Sequence, residues 1–260
     1  MALVKLMRAF AWRLEEGPNL MTKTLSRRGL FSCACHLGAA AFAATAMPNL
    51  GLAASPSTKK TDLTADQALE LLKEGNRLYK TDSPVRSVQG RDRRIEIALG
   101  QTPFCVLVSC SDSRVSPEIL FGRGLGELFI VRNAGNTADT AALGSVEYAV
   151  SQLGVPLVLV MGHSRCGAVL AAADVVENNT VYPGSIGRMI EPIVPAVLSA
   201  RGKPGDFIEN CVRANVDRVV TRMRTASEPA LLDPLKAGKL RIVGASYSLD
   251  TGVVDFFNEA

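Results

Sequence analysis

Histidine is nearly absent from this chain: His36 and His163 are the only two in 260 residues. His36 falls in a leader-like segment, so no second histidine remains in the rest of the chain to relay protons. Aromatic residues are scarce at 5%, and the single tryptophan, Trp12, also lies near the start. Of six cysteines, no two are spaced Cys-x-x-Cys, which speaks against a dithiol redox centre. A charge excess is missing as well. The formal net charge is +4, but six of the 29 basic residues and only two of the 25 acidic ones precede Ala54. The 23 of each sign that remain cancel, so there is no electrostatic footprint for nucleic acid.

What is present begins with that leader. Ser26-Arg27-Arg28-Gly29-Leu30-Phe31 resembles a twin-arginine export signal, followed by an Ala-rich, weakly apolar stretch from Gly29 to Ala46. Small-residue cleavage options follow at Ala44-Thr45-Ala46 or Gly51-Leu52-Ala53. Met21 also serves as a start, because Lys23 and the paired arginines then form a compact basic region. The competing reading is an uncleaved membrane anchor; the stretch is short, Ala-rich and broken by Pro48, which disfavours it. The expected organisation is a cleaved leader over 1–53, a linker over 54–63 and one domain over 64–260. The expected location is the periplasm or the thylakoid lumen, with no stable membrane anchor. Such compartments oxidise thiols. The twin-arginine route carries folded proteins, so a thiolate site could receive its metal before crossing.

Thr64-Ala65-Asp66-Gln67 has the capping-box pattern, with Leu63 as a staple, and predicts a helix to about Lys80. A shorter basic helix is expected from Gly90 to Leu99. Strand-like apolar runs follow at Phe104–Ser109, Glu127–Val131 and Pro156–Met161, with helices after Ser116-Pro117, from Asp139 to Leu153 and from Ala168 to Val176. Two further helical stretches cover Ser185–Ala200 and Gly205–Thr225. Late strands run from Arg241 to Ser248 and from Gly252 to Phe257. The central runs are apolar rather than alternating, which implies burial on both faces. The fold class is therefore α/β: a mostly parallel sheet flanked by helices, with an N-terminal helical arm.

Two of these strands end in metal-ligand residue types. Cys110-Ser111-Asp112-Ser113-Arg114 follows the first, and Gly162-His163-Ser164-Arg165-Cys166-Gly167 follows the third. In an open parallel sheet, sites form beyond the carboxyl ends of the strands. If those strands are neighbours, Cys110 and His163 share one ion with Cys166, which opens a helix where a thiolate is favoured. Two sulfurs and one imidazole with a fourth position free fit catalytic zinc. Asp112 has two options. It fills the fourth position itself and closes the site, or it turns to Arg114 and leaves the site free. Cys105 faces the other side of its strand, and Cys211 lies within a helix; both read as core.

At these residues the chain resembles a β-class carbonic anhydrase. Cys110-x-Asp112-x-Arg114 and His163-x-x-Cys166 are similar to the two motifs of that family, and Val131-Arg132-Asn133-Ala134-Gly135-Asn136 and Gly244–Val253 also fit. The resemblance implies one Zn2+ per chain on Cys110, His163 and Cys166, with Asp112 and Arg114 as the pair that gates the fourth position. It implies reversible hydration of CO2 to bicarbonate and a proton by zinc-bound hydroxide. It implies a homodimer or larger homo-oligomer with pockets at the dimer interface. Gln101, Phe129 and Tyr148 are similar to the family's substrate-binding residues. A bacterial subgroup carries a tryptophan near position 107 in a regulatory bicarbonate site. Leu107 stands here, so the plant-like, unregulated form is expected. Two thiolates offset the charge of Zn2+ and weaken its acidifying effect, which predicts activity that rises toward alkaline pH.

Three rival readings remain at this point. The same scaffold could hydrolyse carbon disulfide or carbonyl sulfide. An exported zinc-binding protein could keep Asp112 on the metal and do no catalysis. A thiol-redox protein could use Cys110 and Cys166, with activity that survives loss of zinc.

Overall fold

The structure is a computed structural model that describes residues 59–83 and 88–259. The leader expectation over 1–53, and the linker as far as residue 58, lie outside the described residues. Residues 59–64 have no regular structure.

Helix α1 (Ala65–Tyr79) starts where the capping box places it. The Thr64 hydroxyl accepts from Gln67 N–H at 3.2 Å, and the Gln67 side chain accepts from Thr64 N–H at 2.9 Å. Such a cap stabilises a helix by about 1 kcal/mol. Ala68, Leu69 and Leu72 lie along one face of this helix and are buried in the same cluster as Leu107, Phe121 and Leu159. The N-terminal helix is thus docked on its own sheet. The approach is close enough that a Cβ at Gly75 would run into the Phe121 backbone.

Helix α2 (Arg91–Ile97) precedes the sheet. Strands β1 (Cys105–Cys110), β2 (Leu128–Asn133), β3 (Leu157–His163), β4 (Arg241–Tyr247) and β5 (Val254–Phe257) stand in the order β2-β1-β3-β4-β5. The first four are parallel, and β5 pairs antiparallel with β4. Between them come α3 (Pro117–Leu120), α4 (Thr140–Ser151) and α5 (Gly167–Asn178). After these come α6 (Ser185–Ile190), α7 (Val194–Ala200), α8 (Phe207–Arg224) and α9 (Pro229–Lys236).

Both faces of the sheet are covered, which explains the unbroken apolar runs in β1 and β3. Val106, Val108, Val158, Val160 and Ile242 point toward α4, α8 and α9. Cys105, Leu107, Leu157, Leu159 and Val243 point toward α1 and Phe121. β2 is an edge strand, and its Leu128-Phe129-Ile130-Val131 run is only half-buried.

Two expectations are corrected here. The helical stretch expected over Ser185–Ala200 is split by a 3₁₀ turn at Glu191–Ile193. Pro192 and Pro195 have no N–H to donate, so a continuous α-helical ladder cannot form through them. No element is expected between Thr225 and Arg241, where helix α9 stands. Pro229 occupies the first turn, where its missing N–H costs nothing.

Candidate metal centre

β1 and β3 are hydrogen-bonded neighbours, with Ser109 opposite Met161, so their carboxyl ends lie side by side. Cys110 and His163 are the last residues of those two strands. Cys166 caps the start of α5 in extended conformation. The Sγ atoms of Cys110 and Cys166 and a ring nitrogen of His163 all lie within 4.8 Å of one another, and all three residues are buried. The two sulfurs are 3.9 Å apart, and neither is in a disulfide.

The chemistry of this group follows from its partners. His163 Nδ1 sits 3.0 Å from the Ser164 carbonyl oxygen, which can only accept. Nδ1 therefore carries the ring proton, and in the neutral ring Nε2 presents a lone pair. That Nε2 is buried and has no hydrogen-bond partner. A bare imidazole lone pair beside two buried thiols is costly unless something fills the space between them. With the two thiols side by side, Cys110 is drawn toward the thiolate, chiefly by the hydrogen bond from Cys166; the same bond pushes Cys166 up. N–H groups of Ala168 and Val169 at the start of α5 oppose that rise. The donor set of two sulfurs and one imidazole nitrogen suits zinc, whose usual four-fold coordination takes one further ligand.

Asp112 is turned away from this centre. Arg114 Nε donates to Asp112 Oδ1 at 2.9 Å and Nη2 to Oδ2 at 2.7 Å, and the Arg114 backbone N–H adds a third bond to Oδ1 at 3.0 Å. These bonds hold the Asp112 carboxyl well below the ordinary aspartate range. Asp112 Oδ2 nevertheless stays 3.8 Å from His163 Nε2, so the carboxylate forms the rim of the site.

The sequence reading missed the parts that fix this rim. Arg132, at the end of β2, donates from Nε to the Cys110 carbonyl and from Nη2 to the Asp112 carbonyl, each at 2.8 Å. Gly135 N–H donates to Cys110 Sγ at 3.3 Å. Both residues lie in the Val131–Asn136 segment, and the signal is a glycine two residues past a strand end. Neither Cys105 nor Cys211 joins the three-ligand group, although Cys211 lies in the same apolar cluster as Cys110 and Cys166, and burial pushes both thiols up.

Three expected site residues are not brought to this centre within one chain. Gln101 lies in the loop before β1. Phe129 pairs with Val106 at the beginning of β2, and its ring packs 6.3 Å from that of Tyr148 at the end of α4. Tyr148 is 51% exposed. Val106, the partner of Phe129, is four strand steps from Cys110, about 13 Å at roughly 3.3 Å each, so Phe129 lies toward the opposite end of the strands.

Residues 105–254 match the family model described as carbonic anhydrase. The chain belongs to the β-class carbonic anhydrase family. It is 40% identical to carbonic anhydrase 2 of Mycobacterium tuberculosis over 185 residues, which are 71% of this chain and 89% of that one. It is 38% identical to the carbonic anhydrase of Mycolicibacterium smegmatis over 188 residues, 72% of this chain and 91% of that protein. Among solved structures it is similar to the β-carbonic anhydrase CcaA, with a TM-score of 0.56 and 26% identity, over 74% of this chain and 90% of that one. The Coccomyxa β-carbonic anhydrase in complex with acetazolamide gives a TM-score of 0.55 and 27% identity, over 73% of this chain and 86% of that one.

Proposed function

We propose that the chain hydrates CO2 reversibly to bicarbonate and a proton, with one zinc ion held by Cys110, His163 and Cys166. The observation that carries the ligand assignment is the partnerless, buried Nε2 of His163 facing two buried sulfurs. Zinc, when bound there, supplies a Lewis acid that makes water a competent nucleophile near neutral pH. The protein supplies the rest. Arg132 fixes the turn that carries Cys110 and Asp112. Arg114 keeps Asp112 ionised and off the fourth position, and the Asp112 carboxylate at the rim can accept a hydrogen bond from the reacting water and orient it. The apolar wall of Val169, Ile193 and Ala168 packed against the cysteines suits a substrate as apolar as CO2.

Gln101, Phe129 and Tyr148 act as substrate-pocket residues on a second copy of the chain. Two observations support this reading: Phe129 and Tyr148 pack together away from Cys110, and the edge strand β2 that carries Phe129 leaves an apolar run half-exposed. The unit is thus a homodimer or a larger homo-oligomer. The paired arginines and Ala-rich stretch support export of a folded, metal-loaded protein by a twin-arginine route to the periplasm or thylakoid lumen, with residues 64–260 as the catalytic domain. Among the described residues no helix is long and apolar enough to cross a membrane.

Stopped-flow CO2 hydration by the zinc-loaded protein across a pH series tests the reading. The expected result is turnover that climbs toward alkaline pH and vanishes in Cys110→Ser. A full zinc complement without turnover at any pH would refute it.

A further inference from the structure

Cys110 Sγ accepts a backbone hydrogen bond from Gly135, and the way Gly135 is held has a consequence for the metal. Gly135 is the third residue of a turn closed by Asn136 N–H donating to the Asn133 carbonyl at 3.2 Å. Its φ of +78° is open to glycine and strained for other residues. From across the fold, Asn215 Nδ2 donates to the Gly135 carbonyl at 2.8 Å. Asn215 is 2% exposed and sits in the middle of α8. Its neighbours on that buried face are Cys211, Val212, Val216, Val219 and Met223. A single carboxamide in an apolar helix face carries a desolvation cost, which its hydrogen bond offsets. Packing alone would be served as well by leucine, which has nearly the same shape.

We infer that Asn215 is a positioning residue: it locks the Gly135 turn so that the Gly135 N–H aims at the Cys110 sulfur, and it thereby sets how much charge that sulfur gives to a bound metal. The inference rests on Cys110 being a metal ligand. An N–H pointed at a thiolate withdraws electron density from sulfur and makes it a weaker donor. Two thiolates otherwise offset the dication's charge and blunt its effect on bound water. One well-aimed backbone donor restores part of that effect without adding a charged group to a buried site.

The test uses full-length protein loaded with Co2+, whose thiolate-to-metal charge-transfer band reports sulfur donor strength directly. In Asn215→Leu the band is expected to move to longer wavelength, because the Cys110 sulfur regains donor strength when the Gly135 N–H no longer points at it. Asn215→Ser, whose hydroxyl is too short to reach Gly135, should show the same displacement and decides the question where the leucine variant does not fold. A band at the wild-type position in a folded variant, even one with lowered melting temperature, would mean that Asn215 only packs the core, and would overturn the inference. Failure of the wild-type protein itself to bind Co2+ would instead overturn the assignment of Cys110 as a ligand.

Discussion

Gly135→Ala should cost this protein far more than an ordinary substitution of a left-handed glycine, and Gly238→Ala is the control that shows why. Both glycines have positive φ, +78° and +64°. Gly238 ends α9, with its N–H and that of Lys239 closing onto Leu235 and Pro234, and an added Cβ meets nothing within 4 Å. Alanine there incurs only the left-handed penalty, about 1 kcal/mol. At Gly135 the same Cβ would lie 2.6 Å from Ile193 Cδ1 and 3.0 Å from Ala168 Cβ. Ile193 is fully buried among Val169, Ala172 and Val197, so it cannot rotate away into solvent. Overpacking of this kind adds roughly 1–3 kcal/mol. The sum is about 2–4 kcal/mol, a large share of a typical stability of roughly 5–15 kcal/mol. At about 2–4 °C per kcal/mol for a domain of this size, Gly238→Ala should lower the melting temperature by a few degrees and Gly135→Ala by roughly 10 °C. Differential scanning calorimetry of the zinc-loaded proteins reads this directly. Equal losses in the two variants would refute the claim that the Gly135 turn is pressed against Ile193.

Two further predictions concern the cysteines and the rim. Cys110→Ser should abolish stoichiometric zinc in metal analysis, whereas Cys105→Ser, on the other face of β1, should keep one zinc per chain; loss of metal from both would place Cys105 in the centre. The Arg114 bonds depress the Asp112 carboxyl in the folded state, so their contribution to stability is present above the ordinary aspartate value of about 3.9 and is lost as pH falls through the folded value. The stability gap between reduced, chelator-treated wild type and Arg114→Ala should therefore be level above about pH 5 and shrink in acid. A gap undiminished at pH 2 in urea titrations would refute it.

The residues that could be read from sequence are those whose role is local. Thr64 and Gln67 announce a helix start because the cap is closed within three residues. Cys110 and His163 announce a centre because apolar strands end there, and parallel neighbours deliver their ends to one place. The choice of Asp112 between the metal and Arg114 stays open in the sequence, since both options use the same residues; in the structure its carboxylate accepts three hydrogen bonds from Arg114. Arg132 and Asn215 were not legible, because each acts on a backbone carbonyl far along the chain, 20 to 22 residues away for Arg132 and 80 for Asn215. A carbonyl is present at every residue, so no residue type marks the target. Helix α9 carries two prolines, Pro229 in its first turn and Pro234 inside it, and a proline in a helix interior is a local signal against the helix.

Gln101, Phe129 and Tyr148 pose a different problem from either group. Their resemblance to pocket residues and their distance from Cys110 cannot both be accommodated in one chain, because a β-strand has a fixed rise and the sheet cannot fold its two ends together. Phe129 and Tyr148 are already in contact with each other, and Tyr148 keeps half its surface open, as expected of a ready-made half-pocket that awaits another surface. β2, which carries Phe129, is the sheet edge, and an apolar edge left half-exposed is a site for association with another chain. We propose that the edge of one copy brings its aromatic pair to the centre of the other. On that reading a monomeric variant would keep its zinc and lose its turnover, because metal ligation is complete within one chain while the substrate pocket is not.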